Sequence, residues 1–182
     1  MTKYPTAKEV ISFWFEEISP RQQFVKDPKF DDEIKHRFGP LHARLTVDVS
    51  DFTSTSLGAL AAILVFDQFS RNMFRGSAQA FETDPLALSI AKELIATGAD
   101  KTMPTNYRVF VYMPFMHAET LEDQEQSVVL FNQLGVASNI NYAIKHHDVV
   151  KKYGRFPHRN GTLDRLSTEA EVAFINTPGT AF

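Results

Sequence analysis

Asp67, Gln68, Arg71, Asn72 and Arg75 follow directly on an unbroken apolar run from Leu57 to Phe66. If one helix carries that run through Arg75, then Asp67, Arg71 and Arg75 share a face at i, i+4 and i+8, with Gln68 and Asn72 as a second pair beside them. Two guanidiniums on such a ridge suit a phosphate or carboxylate, because the arginine fork matches both oxygens. The same residues also suit an internal ion network, in which Asp67, Asp84 and other acids neutralise the arginines and tie helices together.

Further polar sets stand downstream. Arg108 precedes Pro114, and His117, Glu119 and Gln124 follow it. His117 and Glu119 are two residues apart, so a helix would splay them to different faces, and the pair makes a poor chelate. His146-His147-Asp148 contains the two letters of a histidine-aspartate metal dyad, but the outlying His and Asp ligands of such a site do not occur at recognisable spacing. The turn Gly154 to Gly161 gathers Arg155, His158, Arg159 and Asn160 between residues that stiffen the backbone, which suits a site loop or a pinned corner. No nucleophile elbow, phosphate-binding loop or dinucleotide fingerprint is present.

The elements that must position these residues read as helices, since the helical period recurs and strand alternation hardly appears. Thr6 and Glu9 form a capping box ahead of Val10, Trp14 and Ile18, the expected buried stripe of the first helix. Phe30, Ile34, Phe38 and Leu41 mark a second, expected to bend or end near Gly39-Pro40. The third is capped at Ser54, Thr55 or Ser56 and, being apolar almost all round, should be central. Asp84-Pro85 predicts an N-cap and first helical residue for the fourth, with Ala87, Ile90, Ala91 and Leu94 buried and Gly98 in its C-terminal turn. The fifth covers about Asn106 to Glu119 and should kink or restart at Pro114. A sixth spans about Leu121 to Leu134 and a seventh about Ser138 to Tyr153. A short last helix begins at Ser167 or Thr168, with Glu171 as box partner.

With 182 residues, 43% hydrophobic and 12% aromatic, the chain fits a single helical domain over residues 1–182. The absence of cysteine excludes disulfides and thiolate chemistry and agrees with a cytoplasmic setting. A net charge of -3 without a polybasic run argues against nucleic acid as partner. The N-terminus does not read as a signal peptide, and the longest apolar run falls well short of the ~20 residues a bilayer span needs, so no membrane partner is expected.

Several separated motifs together resemble a bacterial family known as domain of unknown function 924. They are Phe13-Trp14-Phe15, the Asp67 to Asn72 run with Phe74-Arg75-Gly76, Asp84, Tyr112-Met113-Pro114 with His117-Ala118-Glu119 and Gln124, and Gly154 to Asn160. The resemblance covers nearly the whole chain. It implies an all-α fold of seven to eight helices in antiparallel pairs, a tetratricopeptide-like right-handed array, and no established activity. Ser70 stands where relatives often carry proline, and Ala118 stands where serine is common, which removes a hydroxyl beside His117. The expected function is binding of a small anionic or phosphorylated ligand in an arginine-rich interhelical cleft. Asp67, Gln68, Arg71, Asn72, Arg75, Arg108, Arg155, Arg159 and Asn160 would bind the ligand, and His117, Glu119 and His158 are the candidates for moving protons. A protein-interaction module and a metal-dependent hydrolase are the alternatives; no cofactor or metal ligand is assigned.

Overall fold

In the computed structural model, which describes residues 4–178, the described residues are helical with no strand among them. They fall into two compact units. One takes its residues from Met1–Arg75 and Gln79–Pro114, the other from Gly76–Ala78 and Phe115–Phe182. The first three residues of the N-terminal segment read above lie outside the described range.

The first unit begins with α1 (Ala7–Ser12), closed by the expected Thr6/Glu9 capping box. Its last turn widens into a π-helical segment, Phe13–Glu17. A π turn takes an extra residue, which rotates everything after it. Phe13 thereby joins Trp14 inside, while Ile18, expected on the buried stripe, ends the segment in extended conformation and is only half-buried. The second helix, α2 (Pro28–Leu45), runs through Gly39 and Pro40 without ending there, and buries Phe30, Ile34, Phe38 and Leu41 as predicted. Short α3 (Ser50–Thr53) leads to α4 (Ser56–Ile63), whose cap is Thr55, its side chain accepting from the Gly58 amide.

The apolar run then passes into a second π-helical segment, Leu64–Phe69, and a last α turn, α5 (Ser70–Met73). This helix therefore ends before Arg75, so a shared helical face extends only as far as Arg71. Every residue from Leu64 to Phe69 is buried, Asp67 and Gln68 included. The π segment is stitched in place by hydroxyls: Ser70 Oγ donates to the Val65 carbonyl at 3.2 Å, and Thr83 Oγ1 donates to that of Phe66 at 2.7 Å. His42 Nε2 meets Ser70 Oγ at 2.9 Å, tying α2 to the same point. Aromatic rings fill the space between the two π segments, with Phe13 4.9 Å from Phe38, Phe38 4.7 Å from Phe69 and Trp14 5.4 Å from Phe69. Contacts at these spacings contribute about 0.5–1.5 kcal/mol each beyond the area they bury.

After α6 (Gln79–Glu82), α7 (Asp84–Ala96) buries Ala87, Ile90, Ala91 and Leu94, and Gly98 turns the chain with a φ of 72°. Thr83, not Asp84, occupies the cap position. Asp84 is the first helical residue, and its carboxylate is directed at Arg71. The fifth predicted helix is α8 (Thr105–His117), which continues over Pro114 without a restart.

In the second unit α9 (Leu121–Leu134) and α10 (Ala137–Tyr153) are joined through Gly135 and Val136 and pack along one another as an antiparallel hairpin, as such a short connection requires. Gly154, with a φ of 72°, ends α10 and starts the turn that carries Phe156 into the core. The last helix, α11 (Glu169–Ile175), opens with the predicted Thr168/Glu171 box.

Candidate functional site

The predicted polar ridge of the first unit is an ion network. Arg71 donates from both terminal nitrogens to the Asp84 carboxylate at 2.8 and 3.0 Å, and from Nη1 to the Asp67 carbonyl at 2.6 Å. The same nitrogen lies 3.0 Å from Asp67 Oδ1, the i, i+4 contact that the spacing predicts. Burial opposes the Arg71 charge, yet the two carboxylates outweigh it and hold the guanidinium above its ordinary pKa. Arg75, beyond the helix end, instead grips Asp31 of α2 with Nε and Nη2 at 2.6 and 2.8 Å. Asn72 Nδ2 donates to the same Asp31 at 2.7 Å. Gln68 donates to its neighbour Asp67 and to Met113 Sδ, so the Gln68/Asn72 pairing is not made.

Arg108 belongs to a different arrangement of that unit. Its Nε and Nη2 donate to the Tyr112 hydroxyl at 3.2 and 2.9 Å, and that hydroxyl donates to buried Asp100 at 2.6 Å. Burial and the Asp100 bond raise the Tyr112 pKa, which keeps the phenol protonated as the bridge between cation and anion.

The second unit holds the remaining candidates around the turn after α10. Glu119 accepts from Arg165 twice, at 2.6 and 3.0 Å, and from the Phe156 amide at 2.7 Å. Burial would raise its pKa, but the Arg165 and Phe156 bonds and the charge of Arg159 carry it below the usual range, so Glu119 is an anion. Arg165 also reaches the Phe156 carbonyl at 3.1 Å and Asn160 Oδ1 at 3.0 Å, and Asn160 donates to Ser167 at 3.0 Å. Arg155 is clamped to Glu171 at 2.7 and 2.9 Å. That bond, with the Thr168 amide, takes the Glu171 pKa down to about 2.

These clamps fix the turn, and the fixed turn presents a cluster centred on Phe156. The His146 ring stands 5.5 Å from Phe156 on one side, the His158 ring 5.6 Å away, and the Arg159 guanidinium 4.5 Å over the ring. His117, last residue of α8, lies 6.3 Å from His146. His146 and Arg159 are buried, His117 is half-buried and His158 is exposed. Burial first, then the fields of His117, Arg159 and His158, depress the His146 pKa to about 3, so its ring is neutral near pH 7.

Sequence reasoning thus singled out His117, Glu119, His158, Arg159 and Asn160 in the region they occupy, but missed His146 as a member and Arg165 as the residue that braces the turn. In the sequence His146 stands out only beside its neighbours, and His147 and Asp148 contact each other at 3.0 Å on the outer side of α10. Arg165 is 46 residues from Glu119, and no local pattern joins them. Among the described residues, no group of three or more His, Asp or Glu side chains is placed to hold a metal ion.

The comparisons agree with this arrangement of motifs. Residues 10–179 match the family described as bacterial protein of unknown function (DUF924). A solved structure of a protein of unknown function from Agrobacterium tumefaciens is similar at a TM-score of 0.88 and 37% identity, over 93% of this chain and 96% of that one. No curated protein matches. Both matches extend over nearly the full chain, and the family match spans every motif quoted above, so the chain belongs to the bacterial DUF924 family.

Proposed function

We propose that this protein binds a small oxyanion, a phosphate or carboxylate, at the imidazole and guanidinium corner of its second unit. The observation that carries the reading is the gathering of His146, His158 and Arg159 about Phe156, with His117 beside His146. Glu119 is held by Arg165 and Glu171 by Arg155, so both of these acids serve the frame of the turn. A rigid turn that sets donors around an apolar floor is a favourable way to hold an anion, because little ordering is left for the ligand to impose. Arg71 and Arg75, each gripping carboxylates of the protein itself, serve the fold of the first unit in this account.

The test is thermal denaturation of the full chain with inorganic phosphate, phosphorylated sugars and small carboxylates. A ligand at 100 times its Kd adds about 2.7 kcal/mol, or roughly 5–10 °C in Tm for a chain of this size. The expected result is a shift of that order with one oxyanion class, lost in a folded Arg159→Gln variant. No shift with any oxyanion would remove the reading.

A further inference from the structure

In the first unit α4 packs against α7, and where the α3–α4 corner meets the last turns of α7 a groove of about 240 Å³ remains. A pocket for a drug-sized molecule measures about 300–1,000 Å³, so an occupant of this one is small. Buried Ala59, Ile90 and Leu94 give the groove an aliphatic floor, and hydroxyls from both sides form its rim. Gly58 shapes the corner: a Cβ there would run into the Phe52 carbonyl oxygen, so only glycine lets α3 and α4 approach this closely.

The rim hydroxyls have fixed roles, since each has one hydrogen to give and two lone pairs. Ser54 Oγ donates to the Asp51 carbonyl at 2.8 Å, and Thr97 Oγ1 donates to that of Leu94 at 2.8 Å. Thr53 Oγ1 turns back on the carbonyls of Val49 and Ser50, at 3.4 Å from each. With those hydrogens given to the backbone, the three oxygens offer a ligand lone pairs. Thr55 is the reverse: its Oγ1 accepts from the Gly58 amide at 3.1 Å, which turns the hydroxyl hydrogen away from the helix. The charged member of the rim is the Glu93 carboxylate, in the last turn of α7, where the helix end carries partial negative charge. Among the described residues, no Lys or Arg lines the groove.

We propose that this groove is a binding site for a small organic cation, a primary ammonium on a short hydroxyalkyl chain. An ammonium has three hydrogens to give and no acceptor, which matches a rim of lone pairs around one carboxylate. The ligand's methylenes lie on the floor of Ala59, Ile90 and Leu94, and its hydroxyl oxygen accepts from Thr55. An inorganic cation would satisfy the rim but leave the aliphatic floor uncovered. A neutral alcohol would cover the floor but bring no charge to Glu93. The site lies wholly in the first unit and stands independently of the oxyanion reading of the second.

The experiment is an NMR titration of the backbone amides of the full chain at pH 7 and constant ionic strength. The probes are aminopropanol, whose amine is protonated at that pH, propanol and potassium chloride, and the series is repeated on Glu93→Gln. Glu93 is exposed, so this isosteric change leaves the packing of α7 as it is. The expected result is saturable shifts at Thr55, Glu93 and Thr97 with aminopropanol, an affinity at least about tenfold lower in Glu93→Gln, and no saturation with propanol or potassium. Aminopropanol binding undiminished in Glu93→Gln, or matched by propanol, would overturn the proposal, because the charge would then not be what the groove recognises. Equal saturation of the same amides by potassium would also overturn it, by making the groove a site for an inorganic cation. The absence of any saturable shift with aminopropanol would do the same.

Discussion

The two units use cations in opposite ways. In the first, each guanidinium of the Asp67 to Arg75 segment is matched by acid: Arg71 by Asp67 and Asp84, Arg75 by Asp31. In the second, Arg155 and Arg165 are matched likewise, but at the turn after α10 burial, together with the fields of His117, Arg159 and His158, depresses the His146 pKa to about 3. Matched charge makes a brace, whereas a guanidinium set among imidazoles by a rigid frame is a setting that suits an anion. A dense polar motif after an apolar helix is thus no guide by itself to where a ligand binds. What separates the two cases is what surrounds each charge, and those surroundings are set by tertiary packing.

The sharpest way to break this contrast is Arg71→Ala. It strips the buried Asp67 and the largely buried Asp84 of their counter-charge, and removing one member of a buried pair costs about 3–5 kcal/mol. Chemical denaturation should show that loss; a variant as stable as the parent would mean that the ridge is not a brace. A smaller effect is expected from Glu119→Gln, which keeps the shape of the Arg165 clamp and removes its charge, at about 2 kcal/mol, the scale of a hydrogen bond to an ionised group. The corner should lose oxyanion affinity in step, since the turn it frames is loosened.

The Glu171 clamp predicts a pH dependence. Its carboxyl has a pKa near 2 when folded against an ordinary value of 4.5, so its contribution is fully present above pH 4.5 and is lost as pH falls from there through 2. The Glu171 carboxyl 13C resonance should titrate in that lower range, and a midpoint near 4.5 would contradict the clamp. His146 behaves similarly in direction: with a pKa near 3 against an ordinary 6.5, it favours the folded state above pH 6.5 and does so less as pH falls from 6.5 to 3. The smallest effect belongs to His146→Phe, which gives up the hydrogen bond to the Tyr142 carbonyl and leaves the Glu119 and Glu171 clamps in place. A cost of about 1 kcal/mol, or 2–4 °C in Tm, is expected.

Much of the fold was legible in the sequence because it rests on local rules. The Thr6/Glu9 and Thr168/Glu171 boxes, the buried face of α7 and the bounds of α9 all follow from caps and a 3.6-residue period. The π-helical segments were not legible, since an extra residue per turn is chosen by packing, here by the ring stack of Phe13, Trp14, Phe38 and Phe69 and by the Ser70 and Thr83 hydroxyls. Neither Pro40 nor Pro114 ends its helix, for a related reason: each removes one donor, but the helix continues across it with its buried face packed. At the site, the residue types were visible and the pairings were not. Asp31 and Arg75 are 44 residues apart, and Glu119 and Arg165 are 46.

The most direct test follows the imidazole resonances of all six histidines during titration of the protein with inorganic phosphate near pH 7. Oxyanion binding at the corner should give saturable shifts at His117, His146 and His158 with a common Kd, while His36, His42 and His147 stay in place. Shifts spread evenly over the six, or saturable shifts confined to His36, His42 and His147, would contradict it.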